Sequence, residues 1–264
     1  MVELQKGHYL SETNRIYPAD DVLVGLTTYQ KVLGTSTLHS HRNPHLSFVL
    51  KGTMQVRRKT LFSDRTAPEQ ISFMHGQEVH QVTPLSQFCK NINLELEASF
   101  FRRYDLNEQI IAENIRKNGP ANGLLMVRLY KELIHLDDSF NESVQMLLLA
   151  AASGWLKTES TLPGWLFQVR ELLHDRWQET ISLTEIAHIA RVHPVTMSRY
   201  FLRYFGTSLG EYRRRVKIER AIGLLTTTNR PLAEIAYRCG FSDQSHFIRA
   251  FKEQTGLLPK GIRS

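Results

Sequence analysis

Two stretches near the C-terminus repeat one another, and this repeat constrains the fold more than any other feature of the chain. One runs from Leu183 to Gly206, the other from Leu232 to Gly256. Their front halves align at an offset of 49 residues, pairing Leu183 with Leu232, Glu185 with Glu234, Ile186 with Ile235 and Ala187 with Ala236. Their rear halves align at an offset of 50, pairing Arg199 with Arg249, Phe201 with Phe251, Gly206 with Gly256 and, beyond them, Arg213 with Arg263. Each unit reads as a short helix, a tight turn and a second helix.

In the first unit, Ser182-x-x-Glu185 is a capping box that starts the front helix. Ile186, Ala187 and Ala190 form its inner face, and the two alanines let another helix cross closely. Arg191-Val192-His193-Pro194 is the turn, with Pro194 opening the next helix, where no N–H donor is needed. Met197, Phe201 and Tyr204 recur at core spacing, which leaves Ser198, Arg199, Leu202 and Arg203 on the free face. In the second unit Pro231 opens the front helix, and Ala236 and Cys239 are the small inner positions. Gly240-Phe241-Ser242-Asp243 is the turn, with glycine supplying a positive φ and Ser242 or Asp243 capping the second helix. Phe247, Ala250 and Phe251 point inward; Gln244, Ser245, Ile248, Arg249 and Lys252 share the outer face. Between the units, Leu209–Thr226 reads as one helix of about 25 Å, with Tyr212, Val216, Leu224 and Leu225 buried. Two such motifs on one rod could reach successive major grooves, roughly 34 Å apart.

The charge is distributed accordingly. From Leu162 onward there are 16 lysines and arginines against 9 acidic residues, which accounts for the whole net charge of +7. A basic half beside a neutral one suits a partner made of phosphates, and a merely soluble basic domain is the plainer alternative.

The run Pro231-Leu232-x-Glu234-Ile235-Ala236-x3-Gly240-Phe241-x5-Phe247-x3-Phe251-Lys252-x3-Gly256-x2-Pro259-x3-Arg263 resembles the signature of the AraC/XylS family of transcription regulators, over about 100 residues. The resemblance implies an all-α domain of seven helices with two readers and a rigid connector. Carried over by position, it implies base contacts from Val195, Ser198 and Arg199 in the first reader and from Gln244, Ser245, Ile248 and Arg249 in the second. Chemistry agrees: arginine can bond guanine O6 and N7 together, glutamine can pair with adenine, and Val195 or Ile248 can press on a thymine methyl. Arg203, Arg213, Arg214, Arg215 and Lys252 are read as phosphate contacts, or as a solvated face. The first unit departs from the family pattern where His193 takes a capping position and Val195 is apolar.

The first hundred residues read as β. Val22–Tyr29, His45–Leu50, Met54–Lys59, Gln70–Phe73 and Phe88–Leu96 are short apolar segments separated by Lys51-Gly52, Ser63-Asp64 and His75-Gly76. His39-x-His41-x3-His45-x6-Gly52 has the spacing of the first cupin motif, with His45 where that motif has Glu. Phe73-Met74-His75-Gly76-Gln77-Glu78-Val79-His80 resembles the second, with His75 and Gln77 replacing Pro and Gly. The half thus resembles the cupin-like sensor barrel of such regulators. His39, His41, His45 and His80 are candidates for a divalent metal site, or for the lining of an effector pocket descended from one.

From Phe100 the pattern turns helical: Leu125, Leu129 and Leu133 recur at four, as do Val144, Leu148 and Ala152. Gly119-Pro120 and Asp137-Asp138-Ser139 break these runs, and Ser139 or Asn141 can cap the second helix. The helices are more apolar than one core-facing stripe requires, which suits both packing on the barrel and a dimer interface. Thr158–Gly164 is a polar stretch broken by Pro-Gly and reads as the interdomain linker.

The expected architecture is therefore α+β and multidomain: a cupin-like barrel over 1–98, a helical linker and dimerisation region over 99–157, a linker over 158–164, and an all-α DNA-binding domain over 165–264. The expected protein is an effector-responsive regulator of the activator type, homodimeric and cytoplasmic, working on double-stranded promoter DNA and with RNA polymerase. No apolar run reaches the roughly 18 residues of a membrane span, and no segment reads as a signal peptide. Two cysteines, Cys89 and Cys239, are too few for a disulfide framework. Cys239 falls at a helix-packing position, which argues against a reactive-cysteine repair protein. The alternative from another class is a metal-dependent cupin enzyme with a DNA-binding tail. It is weakened by the missing Glu and by the lack of a catalytic acid–base pair.

Overall fold

The computed structural model describes residues 2–31, 34–58, 63–66, 71–156, 162–179 and 181–263. Among the described residues ten strands come first: β1 (Val2–Leu4), β2 (Thr13–Ala19), β3 (Val22–Gln30), β4 (His39–His41), β5 (His45–Lys51), β6 (Met54–Arg58), β7 (Ser63–Thr66), β8 (Ile71–Met74), β9 (His80–Pro84) and β10 (Phe88–Leu96). They form two five-stranded sheets, ordered β1-β4-β9-β6-β7 and β2-β3-β10-β5-β8.

Side-chain alternation decides what each face of the second sheet does. On β10, Ile92, Leu94 and Leu96 join the main hydrophobic core, while Asn91 and Asn93 line the space between the sheets. On β5, Leu46, Phe48 and Leu50 face that core, while His45, Ser47 and Val49 face inward. A period of two thus gives the barrel a largely polar inside and an apolar outside that needs a cover.

Helices supply it. α1 (Ala98–Tyr104), α2 (Glu108–Ile134) and α3 (Phe140–Leu156) follow the barrel. Asn107 caps α2 by accepting a hydrogen bond from the Ile110 amide at 2.9 Å. Ile111, Ile115, Met126 and Leu129 of α2 and Val144, Leu148 and Ala152 of α3 are buried against the sheet. Trp155 Nε1 donates to Asn122 Oδ1 at 2.8 Å and locks the two helices together.

Seven further helices make the C-terminal half: α4 (Gly164–Asp175), α5 (Leu183–Ile189), α6 (Pro194–Phe205), α7 (Leu209–Thr227), α8 (Leu232–Arg238), α9 (Gln244–Thr255) and α10 (Pro259–Arg263). Their apolar residues divide between two cores. Leu166, Val169, Ile186, Met197, Phe201, Tyr212 and Val216 form a separate core for the first reader, α5–α6. Ile235, Ala236, Phe247, Ala250 and Phe251 of the second reader, α8–α9, belong to the same core as the barrel and α2. Arg128 Nε on α2 donates to the Gln254 carbonyl at 2.8 Å, a polar tie across that junction. A cleft of about 780 Å³ lies between α2 and α3 on one side and α4, the end of α6 and α7 on the other.

Two sequence expectations need correction. Ser63-Asp64 is not a turn but the start of β7, paired with β6. Gly119-Pro120 does not end a helix: α2 runs through it for 27 residues. A proline inside a helix removes one hydrogen bond and favours a kink. Here the buried stripes on either side, Ile111 and Ile115 before and Leu124 and Met126 after, hold both halves on one core. Strands β1, β2 and β9 are short or edge-like and escaped the sequence reading. Lys59, Gln70 and the linker residues 158–161 lie outside the described residues.

Candidate nucleic-acid interface

Local signals build each reader as expected. Ser182 and Glu185 form the reciprocal capping box of α5. His193, at the position where a small residue is usual, caps α6 all the same: its Nδ1 accepts from the Val195 amide at 3.3 Å. Pro194 stands at the first turn and Gly206 closes the helix at φ 67°. In the second reader Gly240 has φ 68°, and Asp243 caps α9 by accepting from the His246 amide at 2.7 Å. A Cβ at Gly240 would also stand 2.7 Å from the Gln178 carbonyl oxygen, so only glycine fits this turn.

The faces opposite the cores are open. On α6, Val195 is 58% and Leu202 62% exposed, with Ser198, Arg199 and Arg203 exposed beside them. On α9, Gln244, Ser245, Arg249 and Lys252 are exposed. Ile248 is half-buried and packs against the main core, so it offers only an edge to a partner.

Two of the residues read as phosphate contacts are engaged within the fold. Arg213 donates to the Ile181 carbonyl and, at 2.8 Å, to the Glu179 carbonyl, pinning the loop before α5 to α7. Arg215 lies over the Tyr212 ring, 4.8 Å from its centroid, and 3.6 Å from the buried Glu219 carboxylate. Both are half-buried, whereas Arg203, Arg214 and Lys252 remain exposed. Position on a helix predicted the charge and not its partner. One turn further along α7, Lys217 Nζ donates to the Gly240 carbonyl at 2.7 Å and pins the second reader's turn. The connector therefore holds both readers through successive turns of one helix face.

The four histidines converge inside the barrel. β4 pairs with β9 at His39 and His80, and His41 lies two residues along β4 on the same inner face. Ring centroids are 4.4 Å apart for His39–His80 and for His41–His45, and 5.4 Å for His41–His80. The nearest ring nitrogens of His39, His41 and His80 all lie within 4.8 Å of one another. Burial, aided by the neighbouring imidazoles, lowers the His41 pKa to about 3 and pulls His45 well below its ordinary value. Burial likewise lowers His80 to about 4 and depresses His39. The imidazoles are thus neutral at pH 7, the form that offers a lone pair. Glu95, across from His45 in the sheet, is held by the Gly7 amide and Asn43 Nδ2, each at 2.9 Å. The donor set is imidazole, which fits a transition-metal ion.

Tyr9, which no sequence signal singled out, roofs the cluster, with its ring centroid 5.1 Å from that of His41. Glu108 was missed as well. Its carboxylate accepts from the Gly76 amide at 3.2 Å and meets His75 Nδ1 at 2.7 Å, joining the turn before β9 to the first turn of α2. The two cysteines are buried, and burial pushes the Cys239 thiol up to about 12, so neither is poised to react.

Comparison with known proteins agrees with this geometry. Residues 186–264 match a family model described as a helix-turn-helix domain. The chain is 28% identical over 120 residues to the HTH-type transcriptional activator RhaS of Enterobacter sp. (strain 638), a match covering 46% of this chain and 43% of that one. The chain thus spans less than half the length of the curated relatives it matches. Among solved structures, the C-terminal domain of AraT, a response regulator from Geobacillus stearothermophilus, is 29% identical, with 39% of this chain and 86% of that one covered and a TM-score of 0.38. ToxT from Vibrio cholerae is 14% identical, with 92% and 97% covered and a TM-score of 0.38. Two capped readers on one connector, together with the match over 186–264, make the C-terminal half of this chain a helix-turn-helix domain similar to that of the transcriptional activator RhaS.

Proposed function

We propose that this chain is a sequence-specific DNA-binding regulator of transcription, with the barrel over 1–98 as its sensor and 165–264 as its DNA-binding part. The observation that carries this is the pair of open faces on α6 and α9, in two readers whose adjoining loop and turn are clamped to α7 by Arg213 and Lys217. Base readout is assigned to Val195, Ser198 and Arg199 and to Gln244, Ser245 and Arg249, with Ile248 at the edge. Phosphate contacts are assigned to Arg203, Arg214 and Lys252. The test is binding to a duplex selected from a random pool by the protein itself. Arg199→Ala and Arg249→Ala should each cost about 1–3 kcal/mol and relax preference at one base pair. An unchanged affinity and base preference in both variants would remove these helices from the interface.

The RhaS relatives are named transcriptional activators, which favours activation, with RNA polymerase as the second partner. Sensing is favoured over turnover because the barrel cavity, about 30 Å³, has no room for an organic substrate beside the histidines. A cytoplasmic site follows from the DNA partner, and no described helix is long and apolar enough to cross a membrane.

A homodimer through α3 completes the reading. Its outer face shows Met146, 68% exposed, with Leu149 and Leu156 exposed in line with it. A stripe of this kind on a soluble protein marks a contact surface. Met146→Glu with Leu149→Glu should turn a dimer into a monomer in sedimentation without lowering Tm, because neither side chain supports the core. A dimer that survives the double change would place the interface elsewhere.

A further inference from the structure

The regulator reading leaves the signal open, and the barrel narrows it. The barrel cavity of about 30 Å³ has room for a water or a metal ion. It is lined by His39, His41, His45 and His80 and roofed by Tyr9, so a sugar or lipid does not fit it as built. The ring orientations are set from outside. His39 Nδ1 lies 2.9 Å from the Thr37 carbonyl, and His80 Nδ1 lies 2.9 Å from the Glu78 carbonyl. Each Nδ1 is therefore the protonated donor, and each Nε2 carries the lone pair. Backbone carbonyls holding Nδ1–H are the usual outer partners of a metal-ligating histidine.

We propose that the effector of this regulator is a late first-row divalent metal ion, zinc or nickel in class, held by His39, His41 and His80 with His45 behind them. All the candidate donors are imidazole, which disfavours the hard ions magnesium and calcium. The site also has a mechanical outlet. His80 bonds the Glu78 carbonyl, and the Glu78 carboxylate takes the His75 amide at 3.0 Å and Arg58 at 2.7 Å. His75 and Gly76 then hold Glu108 at the head of α2. α2 packs against α7 and α9 and bonds Gln254 through Arg128. Drawing His80 towards His39 and His41 thus acts on the 75–80 turn, on α2 and on the second reader.

This proposal rests on the regulator reading, and its test separates the two. The full-length, untagged chain is stripped with a chelator and titrated with Zn²⁺, Ni²⁺ and Co²⁺, with Mg²⁺ and Ca²⁺ as controls. Metal content, the visible bands of Co²⁺ and affinity for the selected duplex are read on the same samples. The expected result is one transition ion per chain, no retention of Mg²⁺ or Ca²⁺, and an affinity for DNA that changes at least tenfold on loading. His39→Gln with His80→Gln should lower metal affinity at least a hundredfold, with circular dichroism confirming the fold. Glu108→Gln should keep the ion and lose the effect on DNA. Chain that takes up no transition ion overturns the site, and chain that takes it up with DNA affinity unchanged overturns the effector role. A full effect in Glu108→Gln overturns the route through α2. Loaded and stripped chain that both ignore DNA would sink the regulator reading itself, and the effector role with it, leaving only an ion site.

Discussion

Phe251→Ala should weaken the whole chain, by about 3–5 kcal/mol, whereas Phe201→Ala should do similar damage to the first reader alone. Both rings are fully buried at matching positions of the repeat. They differ in what surrounds them. Phe251 sits in the core that runs through α2 to the barrel strands β5 and β10, so its cavity opens in the structure common to both halves. Phe201 sits in the core of α4–α6 and the start of α7. Amide hydrogen exchange reads the difference directly. Phe251→Ala should speed exchange in β10, α2 and α9 together. Phe201→Ala should speed it in α4–α6 while β10 keeps the wild-type rate. Equal loss of protection in β10 from both variants would show that the two cores are one cooperative unit.

The contribution of Glu219 to stability should also fall by about 3 kcal/mol as pH rises from about 4.5 to about 7, against the opposite trend of the buried imidazoles, whose lowered pKa values add stability over the same range. Its side chain is 1% exposed, and burial raises its pKa from 4.5 to about 7 against the opposing pull of Arg215, Arg220 and Arg128. In the unfolded chain the proton leaves near 4.5; in the folded chain it stays until about 7. Between those values the folded state holds the extra proton, so raising the pH costs stability, and above about 7 the loss is complete. Glu219→Gln removes the titration. Its unfolding free energy in urea should match wild type near pH 4 and exceed it by up to about 3 kcal/mol near pH 8. A variant less stable than wild type at pH 8 would mean that the ionised carboxylate supports the three arginines more than its burial costs. The residue lines the cleft between α7 and the helical layer, so the same titration acts on the connector between the readers.

Local chemistry made the readers visible in the sequence. A capping box, a proline at a first turn, a glycine with positive φ and a stripe of inward aromatics each act within a few residues, and each stands where it was read. Long-range partners were not visible. Arg213 and Arg214 are neighbours in one basic run, yet one pins a loop and the other meets solvent. Nothing in Arg-Arg-Arg says which carbonyls will come within reach. The histidines show both sides. Spacing put His39 and His41 on one face, whereas their meeting with His80 depends on a strand pairing between distant segments. Tyr9 reaches the site from a loop with no periodic signal. Gly119-Pro120 misled for a related reason, since breaker residues express a local preference that a core on both sides of them can override.

The division of the cores also bears on choice among promoters. The second reader shares its core with the barrel, and the first is tied to it mainly through α7. If the barrel is the proposed sensor, its signal would reach the second reader through the shared core and the first through α7, and so would change the grip on one half of an operator more than on the other. Promoters with a strong first half and a weak second half would stay occupied in both states, and those with the reverse composition would be gained or lost. On that reading the protein would respond to its signal by reranking its targets, and the repertoire it controls would be written in the balance between the two halves of each site.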